Sequence, residues 1–236
     1  MKKVISHFLS AILAIGLSSG QLAAQKILQQ GHVVFESEQS DEQDLMSQLA
    51  ISGISMEYVF DRNHIMFNME MLMGMLGVRS IMDLEDKAEP ILLMNMMGQK
   101  YQITDLSEED MQNGQDPLFG VGGGKVEYDK KDRKEIAGYA CYKAVLTNDE
   151  GMVLTYYITE KIAVPGADRG KGRTELKGFP LEIRMSGMEG MDMVLVAKSV
   201  KDEVPADAFR TPEGYKKVTM AELESEMGGM LPFGGN

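Results

Sequence analysis

The 236-residue chain has one cysteine, Cys141, no tryptophan and three histidines. A single thiol excludes an intrachain disulfide framework, so the fold rests on its own core. One of the histidines, His7, lies in the first 24 residues, which leaves His32 and His64 beyond them. Two histidines and one cysteine serve zinc poorly, because its usual sites take three or four such ligands. There is no G-x-S-x-G nucleophile motif, and no local pattern joins Cys141 to either histidine. Cationic charge is also scarce, with 24 Lys and Arg against 36 Asp and Glu. That balance disfavours nucleic acid and anionic lipid surfaces, both of which attract basic patches. The expectation is a non-enzymatic protein with no nucleic-acid partner and no cofactor.

Long apolar runs are missing too. The longest, "FLSAILAIGL" from Phe8 to Leu17, follows Lys2 and Lys3 and precedes the small residues "SSGQLAA". About ten residues fall short of the roughly 20 that span a bilayer. The pattern is that of a secretory signal, residues 1–24, cleaved near Ala24. No cysteine stands at the cut for lipid attachment, and no later stretch could be an integral membrane segment. The mature chain is therefore expected to be periplasmic or secreted and not lipid-anchored, with a net charge of −14 once the two lysines leave. Residues 25–225 are read as a single β-rich domain and 226–236 as a flexible Gly-rich tail.

What the chain has is alternation. In "ISMEYVF" Ile54, Met56, Tyr58 and Phe60 share one face, and after the turn-like "DRNH" Ile65, Phe67, Met69, Met71, Met73 and Met75 share another. Period two is the mark of a half-buried strand. Further strands are expected in "HVVFESE", "VRSIMDLE", "ILLMNMMGQKYQIT", "GKVEYDKK", "CYKAVL", "MVLTYYITE", "PLEIRM" and "MVLVAKSV". Helical patterns are few: "QDLMSQLAI", "LSEEDMQNG", and "TMAELESEMGGM", where Thr219 and Glu222 have capping-box spacing. Strands at hairpin spacing with a few covering helices predict a mainly β, antiparallel architecture. "GVGGGK" fails as a phosphate loop, because Lys125 leads into a strand pattern and not a helix.

Methionine is the compositional excess. Of 21 in the chain, nine fall between Met66 and Met97. Thioethers are soft ligands that select Cu(I)-like ions when several converge. They also fill irregular cores and line promiscuous apolar surfaces. Two readings stand. In the first, Tyr58, Phe60, Phe67, Met69, Met71, Met73, Met94 and Met96 line a groove for a lipid-like or apolar ligand. In the second, Met69, Met71, Met94 and Met96 hold copper or silver. A structural or interaction module of the cell envelope is a third possibility.

The second half carries "KEIAGYACYKAVL", "TYYITEKI", "GFPLEIRM" and "VPADAFRTPEGYKKVTMAEL" in that order. Together these resemble an exported bacterial domain family of unknown function, related in pattern to the GLPGLI family, and depart from that family's motif at Phe179 and Leu181. The resemblance implies a fold like the LolA/LolB lipoprotein carriers: a strongly curved antiparallel sheet, an incomplete barrel, with helices on its concave side. It brings no catalytic residues with it. Gly138, Gly178 and Pro180 are expected to serve turns, bends or strand entry.

Overall fold

The computed structural model describes residues 26–38, 53–85, 90–106, 124–148, 152–165, 176–188 and 191–227. The expected leader, the two candidate helices "QDLMSQLAI" and "LSEEDMQNG" apart from Leu106, and the tail beyond Met227 lie outside the described residues. Twelve strands form one sheet: β1 (Gly31–Glu38), β2 (Ser55–Phe60), β3 (His64–Met71), β4 (Leu76–Asp83), β5 (Ile91–Met96), β6 (Gln99–Ile103), β7 (Gly124–Ile136), β8 (Tyr139–Asn148), β9 (Val153–Thr159), β10 (Phe179–Met188), β11 (Met191–Lys201) and β12 (Lys216–Val218). Their order across the sheet is β12-β6-β5-β4-β3-β2-β1-β11-β10-β9-β8-β7. All pairings are antiparallel except β12 on β6. One helix is described, α1 (Met220–Met227), which runs two residues past the expected domain end. This is the mainly β, curved open sheet that the alternation and the resemblance led us to expect.

Curvature follows from which side chains meet. Tyr58 on β2 and Phe179 on β10 are three strand positions apart, about 14 Å in a flat sheet. Their ring centroids are 5.4 Å apart, and Phe35 and Phe60 join them at 6.4 and 6.3 Å from Phe179. The sheet therefore bends over this face. The main core lies inside the bend, where Val33, Met56, Tyr156, Leu181 and Ile183 are also fully buried.

Turn chemistry sets the hairpins. The Asp61 carboxylate accepts from the backbone N–H of Asn63 and of His64, both at 2.8 Å, closing the β2–β3 turn. Ala137 and Gly138 close β7–β8 with φ of 49° and 82°, and Met97 and Gly98 close β5–β6 with 52° and 87°. Two central residues of positive φ make type I′ turns, whose twist matches that of the strands. Gly178 is needed for another reason: a Cβ there would lie 2.7 Å from the Thr159 carbonyl oxygen. Pro180 sits beside a bulge in β10, where its missing N–H leaves no ladder bond to lose.

Two expectations need correction. "ILLMNMMGQKYQIT" is a hairpin of two strands, not one strand, because Gly98 supplies the turn. The methionine alternation stops at Met71. Leu72, Met73 and Gly74 all take positive φ in a 3₁₀ turn, so Met73 and Met75 do not continue the strand face.

Candidate functional site

Register assembles the inner face of β2 to β6 into rungs. One runs Tyr58, Phe67, Ser80, Leu92, Ile103; the next runs Met56, Met69, Val78, Met94, Tyr101; the third runs Met71, Leu76, Met96, Gln99. Side chains of one face recur at about 6.6–6.8 Å along each strand, so these rungs form one mainly apolar face, with Ser80 buried in it and Gln99 exposed on β6.

Both ends of that surface are closed. At the β2 end, Met56, Tyr58 and Phe60 are sealed into the main core. At the β6 end, α1 lays Leu223, itself fully buried, against Leu92, Met94, Met96, Tyr101 and Ile103. The helix is held there by its own start. Glu222 N–H donates to the Thr219 hydroxyl at 3.2 Å, and Thr219 N–H donates to the Glu222 carboxylate at 2.8 Å, the reciprocal capping box. Met220 N–H adds a bond to Asp105 at 2.8 Å. The Thr219 bonds hold the Glu222 carboxyl below its usual range.

Between the two packed clusters lies a partly exposed apolar strip. Met69, Met71, Leu76 and Val78 are only half-buried, flanked by one packed cluster on each side. Two of the eight expected groove residues, Met69 and Met71, are therefore partly exposed on this face. Tyr58, Phe60 and Phe67 belong to the closed core, and Met94 and Met96 lie under α1. Met73 leaves the face altogether, 87% exposed at the turn. Leu76 and Val78 were missed as site residues. Their only signal was that a strand opposite the methionines must expose its own alternate positions to the same space.

The alternative metal set changes in the same way. Met69 with Met71 and Met94 with Met96 are not on neighbouring strands, because β4 runs between them. Val78 and Leu76 stand in the register between the two pairs, which are about 9.5 Å apart across the sheet. Among the described residues, no three His, Cys, Asp or Glu side chains are grouped to hold a metal.

Cys141 has Lys134 and Glu182 as its charged neighbours, while His32 faces Glu57 and His64 faces Asp61. Cys141 on β8 lies six strand positions from β3, which begins at His64. His64 contacts Asp61 at 3.0 Å, lies 3.7 Å from Asp83, and stacks on Phe209 at 4.8 Å. Burial pushes the Cys141 thiol up to about 12, although nearby Lys134 opposes the shift. Beside it the buried Glu182 carboxylate pairs with Lys134 and with Arg184, the latter at 2.6 Å. Lys134 also sits 3.7 Å from the Tyr157 ring centroid, and the Tyr157 hydroxyl donates to Asp132 at 3.0 Å. Each cation has a partner, so the cluster reads as a brace across β7, β9 and β10. No helix among the described residues is long and apolar enough to cross a membrane.

No family model matches the chain, and no curated protein does. Among solved structures, an uncharacterized conserved protein from Thermus thermophilus is similar at 10% identity and a TM-score of 0.43, over 82% of this chain and 91% of that one. MucB is similar at 11% and 0.33, over 80% of this chain and 60% of its own. A DUF1329 family protein from Desulfovibrio piger gives 11% and 0.35, over 78% and 90%.

Proposed function

We propose that the chain is an exported, non-enzymatic binding protein whose strip of Met69, Met71, Leu76 and Val78 holds a lipid-like chain or an apolar segment. The observation that carries this is the run of four partly exposed apolar side chains, Met69, Met71, Leu76 and Val78, between two packed clusters of the inner face. Four neighbouring apolar side chains left half-open in register are a surface that gains by being covered. Methionine suits such a surface, since its flexible, polarizable side chain adapts to differing shapes. The leader-like residues 1–24 support delivery to the periplasm or medium. The LolA/LolB resemblance supports the same class of ligand.

The test is mass spectrometry of lipids bound by the mature protein after incubation with membrane extract, paired with titration of an apolar fluorescent probe. Lipid recovery and saturable probe binding are expected, and Val78→Lys should abolish both while leaving the circular dichroism intact. Recovery of no lipid together with no probe binding would sink the reading.

The thioether reading keeps one supporting feature, the placement of two methionine pairs at the same register on β3 and β5. Competition for Cu(I) between wild type and Met69→Leu/Met71→Leu decides it, since equal affinities remove it.

A further inference from the structure

Exposed apolar side chains are few, and most of them are gathered in one place. Among the described residues six large hydrophobic side chains are exposed, and four of these are Leu72, Met73, Met75 and Met97. The first three stand in the turn between β3 and β4, the fourth in the turn between β5 and β6. A backbone bond joins the two turns, Met97 N–H donating to the Met75 carbonyl at 2.6 Å. Together they make a single apolar tip at one end of the sheet. Leu72, Met73 and Met97 hold positive φ there, a conformation that Gly or Asn meets with less strain. Local backbone preference therefore does not account for apolar residues at these positions.

Two further properties set the tip apart from an ordinary solvated turn. It is uncharged: from Met71 to Gly77 and from Asn95 to Gln99 no residue carries a charge. Its backbone is also paired within the protein. Met75 N–H donates to the Leu72 carbonyl at 3.2 Å, and Asn95 Nδ2 donates to the Gly74 carbonyl at 3.0 Å. With the Met97 bond, the carbonyls of Leu72, Gly74 and Met75 all have internal partners. Polar groups paired in this way leave water at little cost, whereas bare ones do not.

We infer that this tip docks on a lipid bilayer, its four side chains entering among the headgroups. Contiguous exposed apolar side chains mark either a membrane or a protein contact. Four are far fewer than the roughly 20–30 residues that each side of a stable protein interface supplies, so the bilayer is the better fit. Charge plays no part in the attachment. The strands behind the tip bring Glu70 and Lys100, one of each sign, and the chain as a whole is acidic. The basic cluster that anionic lipid attracts is missing from the tip. Met71 and Leu76, paired in register at the base of the tip, join it to the half-exposed strip. A lipid chain leaving the bilayer thus enters the strip without crossing water. That passage rests on the binding reading above, whereas docking needs the tip alone.

Flotation of the mature chain with vesicles tests this, using phosphatidylcholine alone and phosphatidylcholine mixed with phosphatidylglycerol, each in dilute buffer and in high salt. Binding to pure phosphatidylcholine is expected, neither improved by the anionic lipid nor released by salt. Met73→Asn/Met97→Asn keeps residues that tolerate the left-handed turns, so circular dichroism should be unchanged while vesicle binding weakens at least about tenfold. A soluble apolar fluorescent probe separates this proposal from the strip. The double variant should still bind the probe, and Val78→Lys should lose the probe yet float as wild type does. No flotation on any vesicle, or a double variant that floats as well as wild type, overturns the proposal whatever the probe does. Flotation confined to anionic vesicles and lost in salt overturns it too. So does a concentration-dependent dimer in sedimentation that the double variant abolishes, since the tip then belongs to a second copy.

Discussion

Met97 and Met73 carry long apolar side chains at left-handed backbone positions, with φ of 52° and 55°. An L-residue there loses roughly 1–2 kcal/mol relative to right-handed conformations. Met97→Asn, which places Asn before Gly98 in a type I′ turn, should therefore raise stability by up to about 1 kcal/mol, read as a higher urea midpoint. The same two side chains are the most exposed methionines described, Met97 at 81% and Met73 at 87%. Among the described methionines, mild peroxide should convert Met73 and Met97 to sulfoxide first, and peptide mass spectrometry should find Met56 and Met66, both buried, still reduced. At this scale the sequence was legible as far as Met71. Alternation assigned Met69 and Met71 to the inner face, but a methionine in a turn and one on a strand look alike in a period-two count. Gly74 and Gly98 were the only marks of the interruptions.

At the scale of the element, α1 follows from its own residues. Thr219 and Glu222 cap it, and Leu223 supplies the side chain that docks it. Thr219→Ala should cost about 1 kcal/mol. Leu223→Ala should cost about 2–5 kcal/mol and open Met94 and Met96 to peroxide, so oxidation mapping distinguishes undocking from a general loss of stability. Strand β8 provides a second test. Its Cys141 has its pKa raised by burial from an ordinary 9.0 to about 12, so the folded state holds its proton where the unfolded chain has lost it. Stability from this group is whole below pH 9 and is lost as pH rises towards 12. Burial and the hydrogen bond to Glu160 also raise Tyr142 on the same strand, and that shift acts in the same alkaline direction. Urea midpoints should fall between pH 8 and pH 10.5, and less steeply in Cys141→Ala. What an element cannot announce is its company. Lys134 and Glu182 are 48 residues apart, and neither has a local pattern that predicts the ion pair.

For the whole molecule the decisive contact is Tyr58 with Phe179, since only a bent sheet brings β2 and β10 together. A double-mutant cycle of Tyr58→Leu and Phe179→Leu should give a coupling of about 0.5–1.5 kcal/mol, measured by urea unfolding. Additive effects would mean that the rings do not meet and that the sheet is flatter in solution. The same bend puts Met69 and Met71 on its inner face and Arg79 on its outer face.

By itself the sequence determined the class of fold, most strand positions, the face of the apolar residues as far as Met71 and the cap of α1. These depend on periodicity, turn residues and short-range spacing, which are local properties of a chain. Tertiary structure alone decided that β1 pairs with β11, that β4 runs between the two methionine pairs, and that α1 covers Met94 and Met96 while Met69 and Met71 stay half-open. Strand order and helix docking join residues far apart in sequence, and no local pattern carries that information. The buried, unpaired Arg79 Nε–H and Asn95 Oδ1 belong with these, because an orphaned donor and acceptor exist only once every other partner has been assigned.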